Sequence, residues 1–516
     1  MKTSRVHRAV FLLSVISVAW LLPLATQADA GDRLRKMRDN FHRIEWQRYT
    51  VEAVRNKAPK KIYGNDVILI PAENIYLLPV SNLLEMRTAW QRARIHNPQA
   101  IVLSNGVYDL ASLARILGNP RIFKRIDADT YIAYRPIVVF PTATLVIRGK
   151  TLRLSLRHGT FLADFGRLFI IDSKVTSWDD KLASPGPRQK LPETQLLKTG
   201  VQFPRPYLTV RSGGKIYAAN SVFQGLGYKG KSSTFGVSFA SQFDKDATYI
   251  SPLTGLKQSM HASSAPTGWM IGNRFENNFF GFYSRLASDA VIVGNAYKNN
   301  VIYNIDPHDD SKRLLIARNF VENAGHAHGI IISRRVNDST IGQNLTIGNA
   351  GSGIMTDRSS IHTLIIGNIS LANQGNGIAL SESDHAFIQA NITAYNQGNG
   401  IFIRNSCDIA MQENLLLHNG KYGGEVAAIS LAYDKSRDLV ADPYHQAAEG
   451  FFSANTFDNN YLAAAAAKGS PEVLLRKNKF LNSAPRYFSG DLEPYTHQIL
   501  QDNQDTGFQF KGEHGC

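Results

Sequence analysis

Cysteine is nearly absent from this chain: two in 516 residues, Cys407 and Cys516. That excludes a disulfide framework and leaves room for a single bridge in an oxidising compartment. Cys407 lies at the edge of an apolar repeat and reads as a small core residue. No Cys/His cluster has zinc-ligand spacing, and the Asp/Gly-rich nonapeptides that bind calcium in some β-solenoids are missing. Neither a metal nor a cofactor is called for. Beyond residue 30 no run is long and apolar enough to cross a bilayer. Acidic residues are also short, with 42 Asp+Glu against 57 Lys+Arg and a net charge of +15.

The first 30 residues read as a secretory signal. Lys2, Arg5 and Arg8 precede an apolar run from Ala9 to Ala25, and Ala28-Asp29-Ala30 fits small-x-small cleavage. The mature chain then starts at Gly31 as an exported protein, periplasmic or extracellular. Three positive charges and one negative leave with the signal, so +15 becomes +13. An exported basic protein has few nucleic-acid partners. A polyanion such as an acidic polysaccharide fits the charge, and so does a diffusely basic surface.

What the chain has is a period. Asn273, Asn295, Asn319, Asn344, Asn368, Asn391 and Asn414 follow one another at steps of 22, 24, 25, 24, 23 and 23 residues. The text around them repeats, as in Gly272-Asn-Arg-Phe-Glu-Asn-Asn278 and Gly294-Asn-Ala-Tyr-Lys-Asn-Asn300. A period this short means a solenoid whose units bury their apolar faces only by stacking. Short β-branched or aromatic runs such as Gly329-Ile-Ile-Ile-Ser333 and Gly400-Ile-Phe-Ile403, bounded by turn residues, are strands. The Leu-x-x-Leu-x-Leu spacing of a leucine-rich repeat is missing. The fold expected is all-β, a right-handed parallel β-helix. The Asn anchors are structural: Asn tolerates the left-handed backbone of a sharp bend, and its amide bonds to the Asn above and below.

The expected layout places a signal at 1–30 and an N-terminal cap or small appended domain at 31–135. The β-helix runs over 136–500, with insertions near 244–267 and 421–450, and a tail covers 501–516. Ala219-Asn220 has the anchor form, and Asn455 and Asn478 continue the series after a long step.

Charged residues recur just after one strand of each unit: Arg285, Asp306-Pro307-His308-Asp309, Arg334-Arg335, Asp357-Arg358, Glu382 and Arg404. In a solenoid these stack about 4.8 Å apart, so a mostly cationic column runs along one edge, suited to a polyuronate. Asp306-Pro-His-Asp309 breaks the local repeat. Proline restricts itself and its predecessor, which predicts a rigid loop. A carboxylate beside His308 fixes its tautomer and leaves the other ring nitrogen as a base.

Asp306-Pro-His-Asp309, in an exported, Asn-laddered β-helix, resembles the periplasmic mannuronan C5-epimerase family of alginate-producing bacteria. The likeness covers essentially the whole chain. It implies C5-epimerisation of mannuronate to guluronate within polymannuronate, with His308 as the base that takes H5. It implies that Arg334 neutralises the sugar carboxylate, Arg335 being the adjacent alternative. It also implies a role beside alginate secretion-complex proteins and no calcium. Residue chemistry agrees. H5 is a weak acid α to a carboxylate, so a base near neutral pKa and a cation on the carboxylate are both required. Asp306 and Asp309 would orient His308, and water or Tyr303 would return the proton. Arg285, Tyr303, Arg335, Asp357, Arg358 and Arg404 are the candidate substrate contacts, with Lys312 and Arg313 weaker. Two rivals stay open: a polyuronate lyase, which shares the carbanion but expels O4, and a non-catalytic polysaccharide-binding scaffold.

Overall fold

The computed structural model describes residues 30–71, 90–91, 95–186, 205–241, 247–250, 257–260, 265–421, 427–430, 440, 444, 446–483 and 486–516. The signal expected at 1–30 lies outside them except for Ala30, where helix α1 (Ala30–His42) begins.

The chain is a parallel β-helix. Each regular coil contributes three short strands, and each strand pairs in parallel with its equivalent one coil on. One coil is represented by Ile305–His308, Leu315–Ala317 and Phe320–Glu322. Ile305 pairs with Ile330, Leu315 with Thr340, and Phe320 with Leu345. The ladder through Ile305–His308 carries the candidate site and is called the site ladder below. Inward residues from all three ladders form one continuous core, from Ile101 and Leu145 through Ile305, Ile330 and Ile354 to Val473.

The Asn series forms a buried ladder. Nδ2 of each anchor donates to Oδ1 of the next at 2.9–3.1 Å, from Asn273 to Asn503. Three details differ from expectation. The left-handed residue of each bend is not the Asn but its predecessor: Gly272, Gly294, Arg318, Gln343, Gly367, Ala390 and Glu413 all have positive φ. The Asn is then free to point inward, where its amide satisfies backbone groups that are costly to bury unpaired. Asn220 is not an anchor; it is exposed and bonds Asp172, while the amide of Ser221 accepts the role by donating to Asn273. The ladder ends at Asn503, inside the stretch expected to be a tail.

The segment 31–135, expected as a cap or small appended domain, contains part of the coil. Parallel pairing already begins with Gln99–Asp109 on Ile137–Arg148. Helix α1 and helix α2 (Val51–Lys57) run along the outside of the coil instead. Leu34, Phe41 and Val54 pack there against Phe169, Ile271, Val293, Leu364 and Phe387. Arg33 pairs with Asp338 and Arg55 with Asp172, and Arg318 lies over Trp46 at 3.7 Å. The first coil is covered by helix α3 (Leu110–Leu117), whose Leu110 and Leu113 enter the core behind an Asp109 capping box. At the other end helix α4 (Thr496–Asp502) and the antiparallel strand Phe508–Lys511 close the solenoid. Cys407, read as a core residue, instead bridges to Cys516 and ties this end piece to the coil. In the insertion near 244–267, Ala247–Ile250 and Lys257–Met260 form an antiparallel hairpin. In that near 421–450, Ala427–Ser430 joins the site ladder.

Candidate active site

Strand alternation builds the site. In Ile305–His308, Ile305 points into the core, so Asp306 and His308 face outward. The expected rigid loop is therefore a ladder strand, with Pro307 at a buried position beside Ser284. The register aligns Arg285, His308, Ser333, Asp357, Ser381 and Arg404 in one outward column. Tyr283 lies beside Asp306 in the parallel column.

Of these, Tyr283, Asp306, His308, Ser333 and Asp357 line a cleft of about 250 Å³, completed by Phe235, Phe280, Tyr303, Ile331 and Arg358. The strand ends in two successive left-handed residues, Asp309 and Asp310, and the next coil repeats this at Arg334 and Arg335. Non-glycine residues seldom adopt this conformation, and here it turns the charged side chains back beside the cleft. His308 Nδ1 lies 2.9 Å from Asp309 Oδ2, and Arg334 lies 3.6 Å from Asp309 Oδ1. The Tyr283 hydroxyl donates to Asp309 at 3.4 Å, and its ring stacks on His308.

Five groups here titrate unlike free side chains. Burial opposes charge on His308, but the contact with Asp309 and the charges of Asp306 and Asp309 outweigh it and raise its pKa. Burial also pushes against ionising Asp309, yet His308, Arg334 and Arg285 hold it below the usual carboxylate range. Asp306 is different. Its side chain is buried, its Oδ1 has no hydrogen-bond partner, and burial, with Asp309 and Asp357 nearby, lifts it to about 7 against the pull of His308. Tyr303 and Tyr283 are held protonated, chiefly by burial and then by Asp306.

The expected residues divide cleanly. Asp306, His308, Tyr303, Asp357 and Arg358 share the cleft, with Asp309 and Arg334 at its edge. Arg335 points to Asp310, gripping both carboxylate oxygens at 2.6 and 3.0 Å. Arg285 neighbours His308 in register and donates to the Ser241 carbonyl at 2.7 Å. Arg404 pairs with buried Glu382 and stands outside the cleft. Arg313 is bound to Asp289 on another turn, and Lys312 bridges Ser288 and Asn337 there. Sequence reasoning missed Tyr283, Phe280 and Phe235. Tyr283 was within reach, since it holds in Phe280–Arg285 the place that Asp306 holds one coil later.

It also missed Asn304. A second buried Asn ladder runs through Asn349, Asn373, Asn396 and Asn419. At the site coil its place is taken by Ala324. Asn304 fills the gap, accepting from Asn300 at 2.7 Å and donating to Asn349 at 3.1 Å.

Fold and site define a parallel β-helix protein with a carboxylate-held histidine and an arginine on one face of the coil. Comparison with known proteins is more specific. The chain is 34% identical to the mannuronan C5-epimerase of Pseudomonas putida over 400 residues, which is 77% of this chain and 72% of that one. It is 36% identical to the Pseudomonas aeruginosa enzyme over 303 residues, 58% of this chain and 52% of that one. The crystal structure of the periplasmic alginate epimerase AlgG superposes with a TM-score of 0.72 at 26% identity, over 87% of this chain and 98% of that one. The chain belongs to the mannuronan C5-epimerase family. Residues 305–484 also match a family described as the periplasmic copper-binding protein NosD. Among the described residues no group of three or more His, Cys, Asp or Glu could hold a metal ion.

Proposed function

We propose that this protein converts β-D-mannuronate to α-L-guluronate residues within polymannuronate in the periplasm, His308 taking H5 while Arg334 holds the sugar carboxylate. The observation that carries the reading is the Asp309–His308 contact beside Arg334 at the rim of one cleft. Asp309 engages Nδ1, which leaves the other ring nitrogen as the base. Arg335 is engaged by Asp310, so Arg334 is the cation assigned to the carboxylate. Its planar fork suits a carboxylate.

Proton removal sends the C5–H electron pair into the carboxylate as an enediolate. Charge developing there needs donors already in place. Asp306 contributes one. A neutral carboxyl with an unpartnered oxygen in the cleft donates to the enediolate where an ionised one would repel it. Orienting His308 falls to Asp309 rather than to Asp306. Reprotonation at C5 from the opposite face, by Tyr303 or water, completes inversion. Asp357 and Arg358 hold the neighbouring sugar. Arg285 extends the same column. Export follows the N-terminal signal and matches the periplasmic relative, and contact with other secretion-complex proteins accompanies that location.

Proton NMR of polymannuronate incubated with the mature protein in D2O and a chelator tests this. Guluronate signals with deuterium at C5 are expected. Unsaturated chain ends would make the protein a lyase. Unchanged polymer with folded protein would leave a binding scaffold.

A further inference from the structure

Tyr303 presents its ring to the cleft from a two-sided clamp. Phe280 meets it edge-on, with centroids 5.1 Å apart and planes at 84°. On the other side His328, one coil on, stacks at 6.0 Å and 20°. His328 does not line the cleft. Its Nδ1 accepts the backbone N–H of Ser352 at 2.9 Å, so the ring proton sits on Nε2. Burial pushes its pKa down to about 4, and the ring is neutral wherever His308 can act as a base. The backbone makes room for it. A Cβ on Gly351 would stand 2.8 Å from Nδ1 and 2.9 Å from the Ala327 carbonyl carbon, so only glycine lets the ring lie there. Four coils thus cooperate: Phe280 in one, Tyr303 in the next, His328 above it, and Ser352, whose amide locks His328, in the fourth.

We propose that His328 is a positioning residue for the reaction, setting the Tyr303 ring at the cleft edge without touching substrate. A lone half-buried histidine satisfied by a backbone amide is ordinary packing. What separates it from packing is that the ring it fixes lines the cleft beside Asp306. Misplacing a cleft residue by about 1 Å costs up to roughly a hundredfold in rate. The proposal rests on the epimerase reading above.

The test is a double-mutant cycle on the full mature chain, read as C5 deuterium incorporation, with kcat and KM measured separately. His328→Ala is expected to lower kcat roughly ten- to hundredfold with KM little changed. In a Tyr303→Ala background, where no ring is left to hold, the same change is expected to be silent. His328→Phe, which keeps the stack and loses the acceptor, is expected to retain most of kcat, and it stands in if His328→Ala does not fold. The proposal is overturned if His328→Ala lowers kcat by the same factor in both backgrounds. It is equally overturned if His328→Ala leaves wild-type kcat intact, or if His328→Phe is as slow as His328→Ala. Absence of exchange in the unmutated protein would sink the epimerase reading instead, which keeps the two failures apart.

Discussion

Strands Ile305–His308 and Ile378–Ser381 occupy the same place on the site ladder, three coils apart, and are built to opposite ends. The later strand puts Ala379 and Ser381 outward, follows them with one left-handed residue, Glu382, and sits over an unbroken rung from Asn373 to Asn396. The earlier strand puts Asp306 and His308 outward, follows them with two left-handed residues, and sits where the second Asn ladder loses its rung and Asn304 repairs it. Strained backbone of this kind costs of order 1–3 kcal/mol per residue and persists only where surroundings enforce it. The regular coils supply that enforcement. The solenoid spends its regularity on stability in one region and tolerates a defect in another, and the defect is where the acid–base groups are.

The comparison breaks most visibly at His308. His308→Ala is expected to lower kcat by about 10²–10⁴-fold, the usual contribution of a general base, with thermal unfolding little changed. Ser381→Ala, its counterpart three coils on, is expected to leave kcat unchanged. Equal effects from the two, measured by NMR turnover, would remove the distinction between the coils. Next in size is the arginine pair. Arg334→Ala is expected to cost roughly 10²–10³ in kcat, as loss of an oxyanion-type donor does. Arg335→Ala is expected to cost less than about tenfold, because its guanidinium already holds Asp310. The reverse order would move the carboxylate to the other arginine.

This contrast was half legible in the sequence. The 22–25-residue period gave the solenoid because an Asn ladder needs the same residue at the same place in every coil. The Asp306–Asp309 break stood out for the same reason. The fate of Arg335 was not legible, since the pairing with Asp310 depends on two consecutive left-handed residues in each of two coils. Nor was the raised pKa of Asp306, which comes from its burial and from the charges of Asp309 and Asp357 on neighbouring turns. The sequence of 31–135, read as a cap or small appended domain, did not tell that Ala30–His42 and Val51–Lys57 lie along the side of the coil while Leu110–Leu117 covers its end, because a helical segment does not say which face it packs on.

A pH profile sharpens the comparison, because Ile305–His308 carries two titrating groups shifted from their ordinary range and Ile378–Ser381 carries none. His308 must be neutral to accept a proton, so kcat falls as pH drops through its raised pKa. Asp306 must be protonated to donate, so kcat falls as pH rises through about 7. The expected profile is a bell whose limbs belong to the coupled pair. Stability follows the same group. Asp306 has a folded pKa above its unfolded value. Its contribution is therefore fully present below the unfolded pKa and is lost as pH rises through about 7. Ionising it in place costs on the order of a few kcal/mol. Asp306→Asn is thus expected to gain more thermal stability over the wild type at about pH 8.5 than at about pH 5, while slowing turnover at both. A Tm difference independent of pH would show that Asp306 is ionised throughout.

The smallest effect on rate separates the two Asn ladders. Asn368 is an ordinary rung: its Oδ1 takes both amides offered by Asn344, and its Nδ2 serves Ile341 and Asn391. Asn368→Ala leaves buried groups unpaired and is expected to cost roughly 2–5 kcal/mol of stability, with kcat of the surviving folded protein unchanged. Asn304 stands between Tyr303 and Ile305 and holds the rung that Ala324 omits. Asn304→Ala is expected to cost a similar stability and, in addition, several-fold in kcat, because the strand it anchors carries Asp306 and His308. Restoring the missing rung with Ala324→Asn in that background puts an amide back within the ladder. Stability should return with it. Rate should not, since the new side chain comes from the turn beyond Glu322 and leaves the start of Ile305–His308 without its own anchor. Recovery of both together would mean that the site coil needs only a filled ladder, and that the displaced Asn304 adds nothing to catalysis.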